Sequence, residues 1–386
     1  MKPKCMLEYD IAIIGSGPSG SCAALTLQNT NVRVALFEKE EFPRQKVCGD
    51  GLCDRSINTL RAISESYYFE FMETFSPLPM QKTDLVYKGT HYTLNFKNFG
   101  YTCKREDFDA FLFSRIQRDC SNCTIYQNTQ IAEVQKHENG LIIRSTQNET
   151  FFAKMVIVAN GAKSHIATEL TEKPWEKEKN GVAIRAYFSG VTDTKSDTIE
   201  LHYSKKYFPG YFWIFPMQNN IANVGFGYSM KDKNKHPLSI HEIFTEWIQN
   251  DEKLRERFKN AVPISKMQGG LIPYNTNDFS SAGNRYIITG DAASLIDPIS
   301  GGGIGSAMYS GYCAAKTALQ CVETQDFSYT QTKTYEKALK QRIQKEIRKR
   351  NRLQKLIRRL PFMLDMFAYV AKNQKRLQKI SSWYFR

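Results

Sequence analysis

Residues 10–20, DIAIIGSGPSG, constrain the fold more than any other stretch of this chain. An apolar, β-branched run meets glycines at positions 15, 17 and 20, and small apolar residues then recur at Ala23, Ala24, Leu25 and Leu27. That order predicts a strand, a tight turn and a helix. Gly15 permits the turn, Gly17 lets the backbone approach a pyrophosphate, and Gly20 lets helix and strand pack closely, with the phosphates at the helix N-terminus. A second strand, VRVALFE, ends at Glu38, where a carboxylate can accept hydrogen bonds from a ribose diol. The βαβ unit predicts a dinucleotide site.

A second element, YIITGDAASLIDPISGGGIGSAM, bears on which dinucleotide. Its strand, Tyr286 to Thr289, delivers Gly290 and Asp291, and Pro298 then precedes Gly301, Gly302, Gly303 and Ile304 at a helix start. An acid at a strand end can hold a ribityl hydroxyl. Glycines at a helix start expose N–H groups that can stabilise negative charge on a reduced flavin. Alone, the segment also fits a plain strand–turn–helix with a glycine-rich N-cap; paired with the first motif, it favours FAD.

Four segments together, GSGPSG with Glu38, PRQKVCGDG (Pro43 to Gly51), Arg105 in REDFDAFL, and GDAASLIDPISGGGI, resemble the FAD-dependent family that includes p-hydroxybenzoate-type hydroxylases and geranylgeranyl reductases. The resemblance implies an α/β fold, with a Rossmann-like FAD-binding domain of the glutathione reductase type and an inserted antiparallel-sheet substrate domain. It also implies that Arg44 and Arg105 lie along the FAD, that Asp291 holds the ribityl chain, and that the glycines near 302 face the flavin pyrimidine edge. Cys48, Gly49, Gly161, Pro298 and Ile304 complete the implied cofactor-binding set. One departure stands out in VIVANGAKS, where Asn160 precedes Gly161 in place of the family's Asp-Gly pair. Asparagine keeps the size and an acceptor but loses the charge. Either a structural hydrogen bond survives or contact with a nicotinamide donor changes.

Within that family, two features resemble the reductases. KVCGDG sets Cys48 where geranylgeranyl reductases have a cysteine beside the flavin. The stretch YFPGYFWIFP, with six aromatic residues in ten, contains Tyr211-x-Trp213-x-Phe215-Pro216, followed after eight residues by Gly225-x-Gly227, and is similar to the substrate-cavity motif of those enzymes. At strand period two, Tyr211, Trp213 and Phe215 share one face and Phe212 and Ile214 the other. One face could line a hydrocarbon cavity; an aromatic sheet core is the alternative. The resemblance implies reduction of carbon–carbon double bonds in an isoprenoid or long-chain lipid. NADPH or a reduced carrier protein would supply electrons, and Cys48, Tyr211 or a held water would supply the proton. Asp50 and Trp213 would shape the pocket. An FAD monooxygenase of an aromatic or quinone-like substrate is the competing expectation.

Strand and helix patterns predict a discontinuous FAD-binding domain (1–62, 100–165 and 276–330), a strand-rich substrate domain (63–99 and 166–275) and a basic helical tail (331–386). The tail holds 17 Lys and Arg against Glu336, Glu346 and Asp365, so it carries the whole net charge of +14, and residues 1–330 are balanced. Its apolar residues, Ile343, Ile347, Leu353, Leu356, Ile357 and Leu360, fit one helical stripe. Such a helix either docks on the body or contacts an anionic membrane surface. Aromatic residues are scarce among its charges, which disfavours nucleic acid. Nine cysteines without regular spacing indicate a reducing compartment. The start makes a poor signal peptide, and no apolar window is long enough to span a bilayer, so a cytoplasmic or peripheral location is expected. Cys120-x-x-Cys123 lacks a second ligand pair, and no metal is expected.

Overall fold

The computed structural model describes residues 7–174, 176, 180–235, 237–274, 280–360, 362–373 and 376–378; Pro361 and the end of the expected tail lie outside them. The chain opens with β1 (Leu7–Ile14), α1 (Pro18–Thr26) and β2 (Val34–Phe37). Next come β3 (Gly51–Cys53), α2 (Asp54–Ile63), α3 (Glu65–Phe75), and the hairpin β4 (Leu78–Tyr87) and β5 (Thr90–Thr102). Then follow α4 (Arg105–Asp119), β6 (Cys123–Tyr126), β7 (Ile131–His137), β8 (Gly140–Ser145), β9 (Thr150–Val158) and α5 (His165–Thr171). A run of four strands, β10 (Asn180–Ser189), β11 (Thr198–Tyr203), β12 (Tyr211–Pro216) and β13 (Ile221–Ser229), precedes α6 (Ile240–Asn250) and α7 (Glu252–Arg257). Short strands β14 (Val262–Pro263), β15 (Gln268–Pro273), β16 (Ala282–Gly283) and β17 (Tyr286–Ile288) lead to α8 (Ile304–Thr324), α9 (Tyr329–Leu339), α10 (Lys345–Arg359) and α11 (Met363–Ala371).

Two sheets carry these elements. The first runs β16-β17-β9-β1-β2-β6 and is parallel from β17 to β6, with the β7–β8 hairpin attached to β9. Ile11, Ala12, Ile13, Val156, Ile157 and Val158 are fully enclosed there, as expected for parallel strands covered on both faces. α1, α4 and α8 pack together beside it. The sequence of α3 shows little helical period. Its aromatic residues run on most sides and blur the 3.6-residue stripe, yet Tyr67 and Phe71 bury in the first core, with Phe71 against Phe108 and Phe111 of α4.

The second sheet runs β14-β10-β13-β12-β11-β4-β5-β3, and β15 also pairs with β10. Its register aligns Arg185 with Gly225 and Trp213, and Tyr187 with Asn223 and Phe215, so these side chains share one face. The opposite face buries Phe212, Ile214, Val224 and Phe226 against Ile243, Phe244 and Trp247 of α6. Strand β12 is thus apolar on both sides because both are covered.

The basic C-terminal helices dock on the body. Tyr335, Leu339 and Ile343 bury in the first core, and the Tyr335 hydroxyl donates to Ile288 O at 2.9 Å. Along α10, Glu346 pairs with Arg55 at 2.8 Å, Arg350 pairs with Asp297, Gln354 donates to Pro298 O, and Arg358 donates to Asp232 at 2.9–3.0 Å. Leu364 of α11 packs with Tyr87, Tyr92 and Leu94 of the second sheet. Among the described residues, no helix is long and apolar enough to cross a membrane.

Candidate functional site

A cavity of about 470 Å³ lies where the C-terminal ends of β1, β9 and β17 meet the inner face of the second sheet. Gly15, Asn160–Gly161 and Asp291 follow those three strands and line it, as do Glu38, Arg44 and Arg105. Ligands bind at this edge of open α/β sheets, beyond the carboxyl ends of the strands. The expected residues from the glycine loop, the 43–51 segment, the 290–304 segment and β12 therefore converge on one space, except Gly20, Asp50 and Pro298, which do not line it.

At the glycine-loop end the local chain is sterically committed. Gly15 has φ +98°, and a Cβ there would meet Ala159 O at 2.5 Å; a Cβ on Gly20 would meet Gly15 O at 1.8 Å. Glu38, 4% exposed, accepts from the Ser16 N–H at 2.8 Å and the Glu40 N–H at 3.2 Å, which ties the end of β2 to the glycine loop. Arg44 sits between Glu38 (3.7 Å) and the fully enclosed Asp109 (3.3 Å), over the Phe42 ring. Asp109 also takes both prongs of Arg105, each at 2.8 Å. Burial works against the Arg105 charge, but Asp109 outweighs it and keeps the guanidinium protonated well beyond its usual range.

At the other end, Asp297 shapes the turn before α8. Its Oδ1 accepts from the Ile299 and Ser300 N–H groups at 2.9 and 3.2 Å, and its carbonyl accepts from Gly301 at 2.9 Å. The turn leads through Gly302 and Gly303 into Ile304, and the first turn of α8 has no side-chain cap, leaving its dipole end facing the cavity. Burial pushes the Asp291 carboxyl up against the pull of Lys46 and Arg105.

Between these ends stands the aromatic wall. The Trp213 ring lies over Gly225, where a Cβ would come within 2.1 Å of its Cζ2, and Phe215 rests on Gly49, whose notional Cβ lies 3.3 Å from the Phe215 Cε2. Trp213 Nε1 donates to Asn223 Oδ1 at 2.9 Å, and Asn223 Nδ2 donates to Cys48 O and Asp50 Oδ2, both at 2.8 Å. Asp50, in the left-handed region at φ +64°, also accepts from the Tyr187 hydroxyl at 2.6 Å and the Arg105 N–H at 3.1 Å. Burial raises its pKa, and the Tyr187 and Asn223 hydrogen bonds pull it back. The Tyr211 hydroxyl donates to Ser300 O. Burial pushes the Cys48 thiol up despite the neighbouring Arg105 cation, so the sulfur stays protonated.

The sequence reading missed Asp109, Arg185, Tyr187 and Asn223. Signals existed: Asp109 stands one helical turn after Arg105, and Arg185 and Asn223 interrupt the strands VAIRAYFSG and IANVGFGYS on the face opposite their core residues.

Residues 8–350 match a family described as FAD binding domain. The chain is 27% identical over 352 residues to digeranylgeranylglycerophospholipid reductase 2 of Methanosphaera stadtmanae, covering 90% of this chain and 87% of that protein. It is 28% identical over 343 residues to digeranylgeranylglycerophospholipid reductase of Sulfolobus acidocaldarius, covering 83% and 71%. A crystal structure of a geranylgeranyl bacteriochlorophyll reductase-like protein from Thermoplasma acidophilum shares the fold with a TM-score of 0.83 and 23% identity, covering 98% and 96% of the two chains. A flavin-dependent brominase reaches a TM-score of 0.73 at 22% identity, covering 95% and 90%. The cavity fits FAD on its own terms. Asn160 Oδ1 and Ser19 Oγ, beside the glycine loop, are buried and have no hydrogen-bond partner among the described residues, and the starts of two helices open onto the same space. The chain belongs to the FAD-binding-domain family and is an FAD-dependent oxidoreductase.

Proposed function

We propose that the protein reduces carbon–carbon double bonds of an isoprenoid or similarly long-chain lipid. The observation that carries this reading is the wall of Tyr211, Trp213 and Phe215, set against Gly49 and Gly301 in the cavity that the cofactor-binding residues also line. What bound FAD supplies is a hydride for one alkene carbon. Trp213 and Phe215 hold the hydrocarbon flat and keep water away. The proton for the second carbon comes from Cys48 Sγ, which burial keeps protonated and whose thiolate the adjacent Arg105 cation can then stabilise. Tyr211 is the weaker donor, because its hydroxyl proton already serves Ser300 O and burial holds it far above the ordinary phenol range. NADPH or a reduced carrier protein delivers the electrons.

The outer surface of the C-terminal helices suits an anionic bilayer, where such a lipid resides. Leu356, Phe362, Met366 and Tyr369 are exposed there, with Arg352, Lys355, Arg359 and Lys372 around them. Sedimentation with anionic vesicles, lost in neutral vesicles and in a Phe362→Ser/Met366→Ser variant, checks this contact.

The test of the reaction is anaerobic. Chemically reduced holoenzyme mixed with a polyprenyl lipid should regain its oxidised flavin absorbance while the lipid gains two hydrogens per reduced bond by mass spectrometry. An enzyme that leaves the lipid untouched and instead consumes oxygen with an aromatic or quinone-like substrate is a monooxygenase, and the reading fails.

A further inference from the structure

Arg185 lies mid-strand in β10 on the cavity side and is 3% exposed. It stands across Gly225 from Trp213 in the sheet register. Its guanidinium stacks on the Tyr187 ring at 4.3 Å, and Lys104 Nζ stands over the same ring at 5.5 Å. Its Nε has no hydrogen-bond partner among the described residues. The counter-charge in its field, Asp50, interacts with it through space, while the Asp50 oxygens accept hydrogen bonds from Tyr187, Asn223 and the Arg105 N–H.

A buried guanidinium with an unfilled donor is costly, and a slot meant only for hydrocarbon gains nothing from it. Arginine presents a planar fork that matches an oxyanion, and its charge is never lost by deprotonation. The Trp213 ring beside it offers the apolar surface along which a chain attached to that anion would run. We propose that Arg185 anchors the acidic end of the substrate, a phosphate or carboxylate oxyanion, while the hydrocarbon lies along Trp213. The proposal rests on the lipid reading and sharpens it, since the enzyme would select a lipid by its charged end as well as by its chain.

Binding to the oxidised holoenzyme, followed by perturbation of the flavin absorbance, separates the possibilities without turnover. The probes are a long-chain prenyl monophosphate, the parent prenol and inorganic phosphate. The prenyl phosphate should bind roughly tenfold to hundredfold more tightly than the prenol, about the worth of one charge-assisted hydrogen bond. Arg185→Met should erase that difference while leaving prenol affinity unchanged. If Arg185→Met does not fold, Arg185→Lys, which keeps the charge but not the fork, should weaken the phosphate more than the prenol. A wild-type protein that does not distinguish phosphate from prenol, or an Arg185→Met protein that keeps the full preference, overturns the proposal. Inorganic phosphate binding as tightly as the prenyl phosphate would mark a free-anion site and overturn the anchor. If neither prenyl compound binds but inorganic phosphate still perturbs the flavin through Arg185, the lipid reading fails and the oxyanion subsite stands.

Discussion

Asn223 joins the aromatic wall to the 48–50 segment, and Asn223→Ala tests that role. The residue is fully buried, and its side chain makes three hydrogen bonds of 2.8–2.9 Å, from Trp213 Nε1 and to Cys48 O and Asp50 Oδ2. The substitution strands the Trp213 N–H and the Cys48 carbonyl, each at about 1–3 kcal/mol if no water replaces the partner. The adjoining cavity admits water to part of that space, which brings the pair to about 2–4 kcal/mol. Asp50 Oδ2 keeps Tyr187 at 2.6 Å, so its loss adds only about 1 kcal/mol. Urea unfolding of the holoenzyme should therefore show a loss of about 3–5 kcal/mol, a large share of the roughly 5–15 kcal/mol that holds a domain together. The deficit should also depend on pH. The folded pKa of Asp50 is already raised, chiefly by burial, and Asn223 is one of the groups opposing that rise. Without Asn223 it climbs further. A carboxyl whose folded pKa exceeds its unfolded value costs stability only where it is ionised, so the gap between variant and parent should narrow as pH falls toward about 4. A loss below about 1 kcal/mol, unchanged with pH, would refute the assignment of Asn223 as the tie.

Trp213→Ala should depress lipid turnover far more than FAD retention, read from the flavin-to-protein ratio after gel filtration; outright unfolding would mean that the ring serves the core alone. Asp297→Ala frees the turn that presents Gly301–Gly303 and cuts the contact with Arg350, so FAD should dissociate roughly tenfold more readily, and an unchanged flavin content would count against that turn. A second pH effect belongs to β11. Burial opposes the Glu200 charge, but His202 at 2.9 Å and the Arg257 fork at 2.6 and 2.8 Å outweigh it and hold the carboxylate down to about 2, while burial lowers the pKa of His202. Both folded values lie below their unfolded ones, so their stabilisation is complete above about pH 6.5 and declines on acidification, first as unfolded His202 takes up a proton and then from about 4.5 as unfolded Glu200 does. His202→Gln should remove the upper part of that decline in pH-resolved thermal melts, and a melting curve unaltered above about pH 5 would exclude it.

What could be read from the sequence follows from how local each constraint is. Gly15 and Gly20 are dictated by contacts within the first βαβ unit and its parallel neighbour β9, so their spacing already encoded the loop. The alternation in YFWIFP likewise carries its own faces, and the structure puts Phe212 and Ile214 behind and Trp213 toward the cavity. Partners are a different matter. Asn223 meets atoms 175 and 173 residues away, and Tyr187 meets Asp50 across 137, so the pattern shows only that a polar residue faces inward, not what answers it. The C-terminal helices illustrate the same limit. Their basic residues read as a solvated or membrane-facing stripe, but Arg350 and Arg358 find Asp297 and Asp232, and those acids carry no mark in the sequence that sets them apart. A polar residue interrupting an apolar strand is therefore the sequence signal to follow first. Strand burial makes such a group costly unless something completes it, and on one sheet face Asn223 is completed by Trp213, Cys48 and Asp50 while the Nε of Arg185 is left without a partner among the described residues.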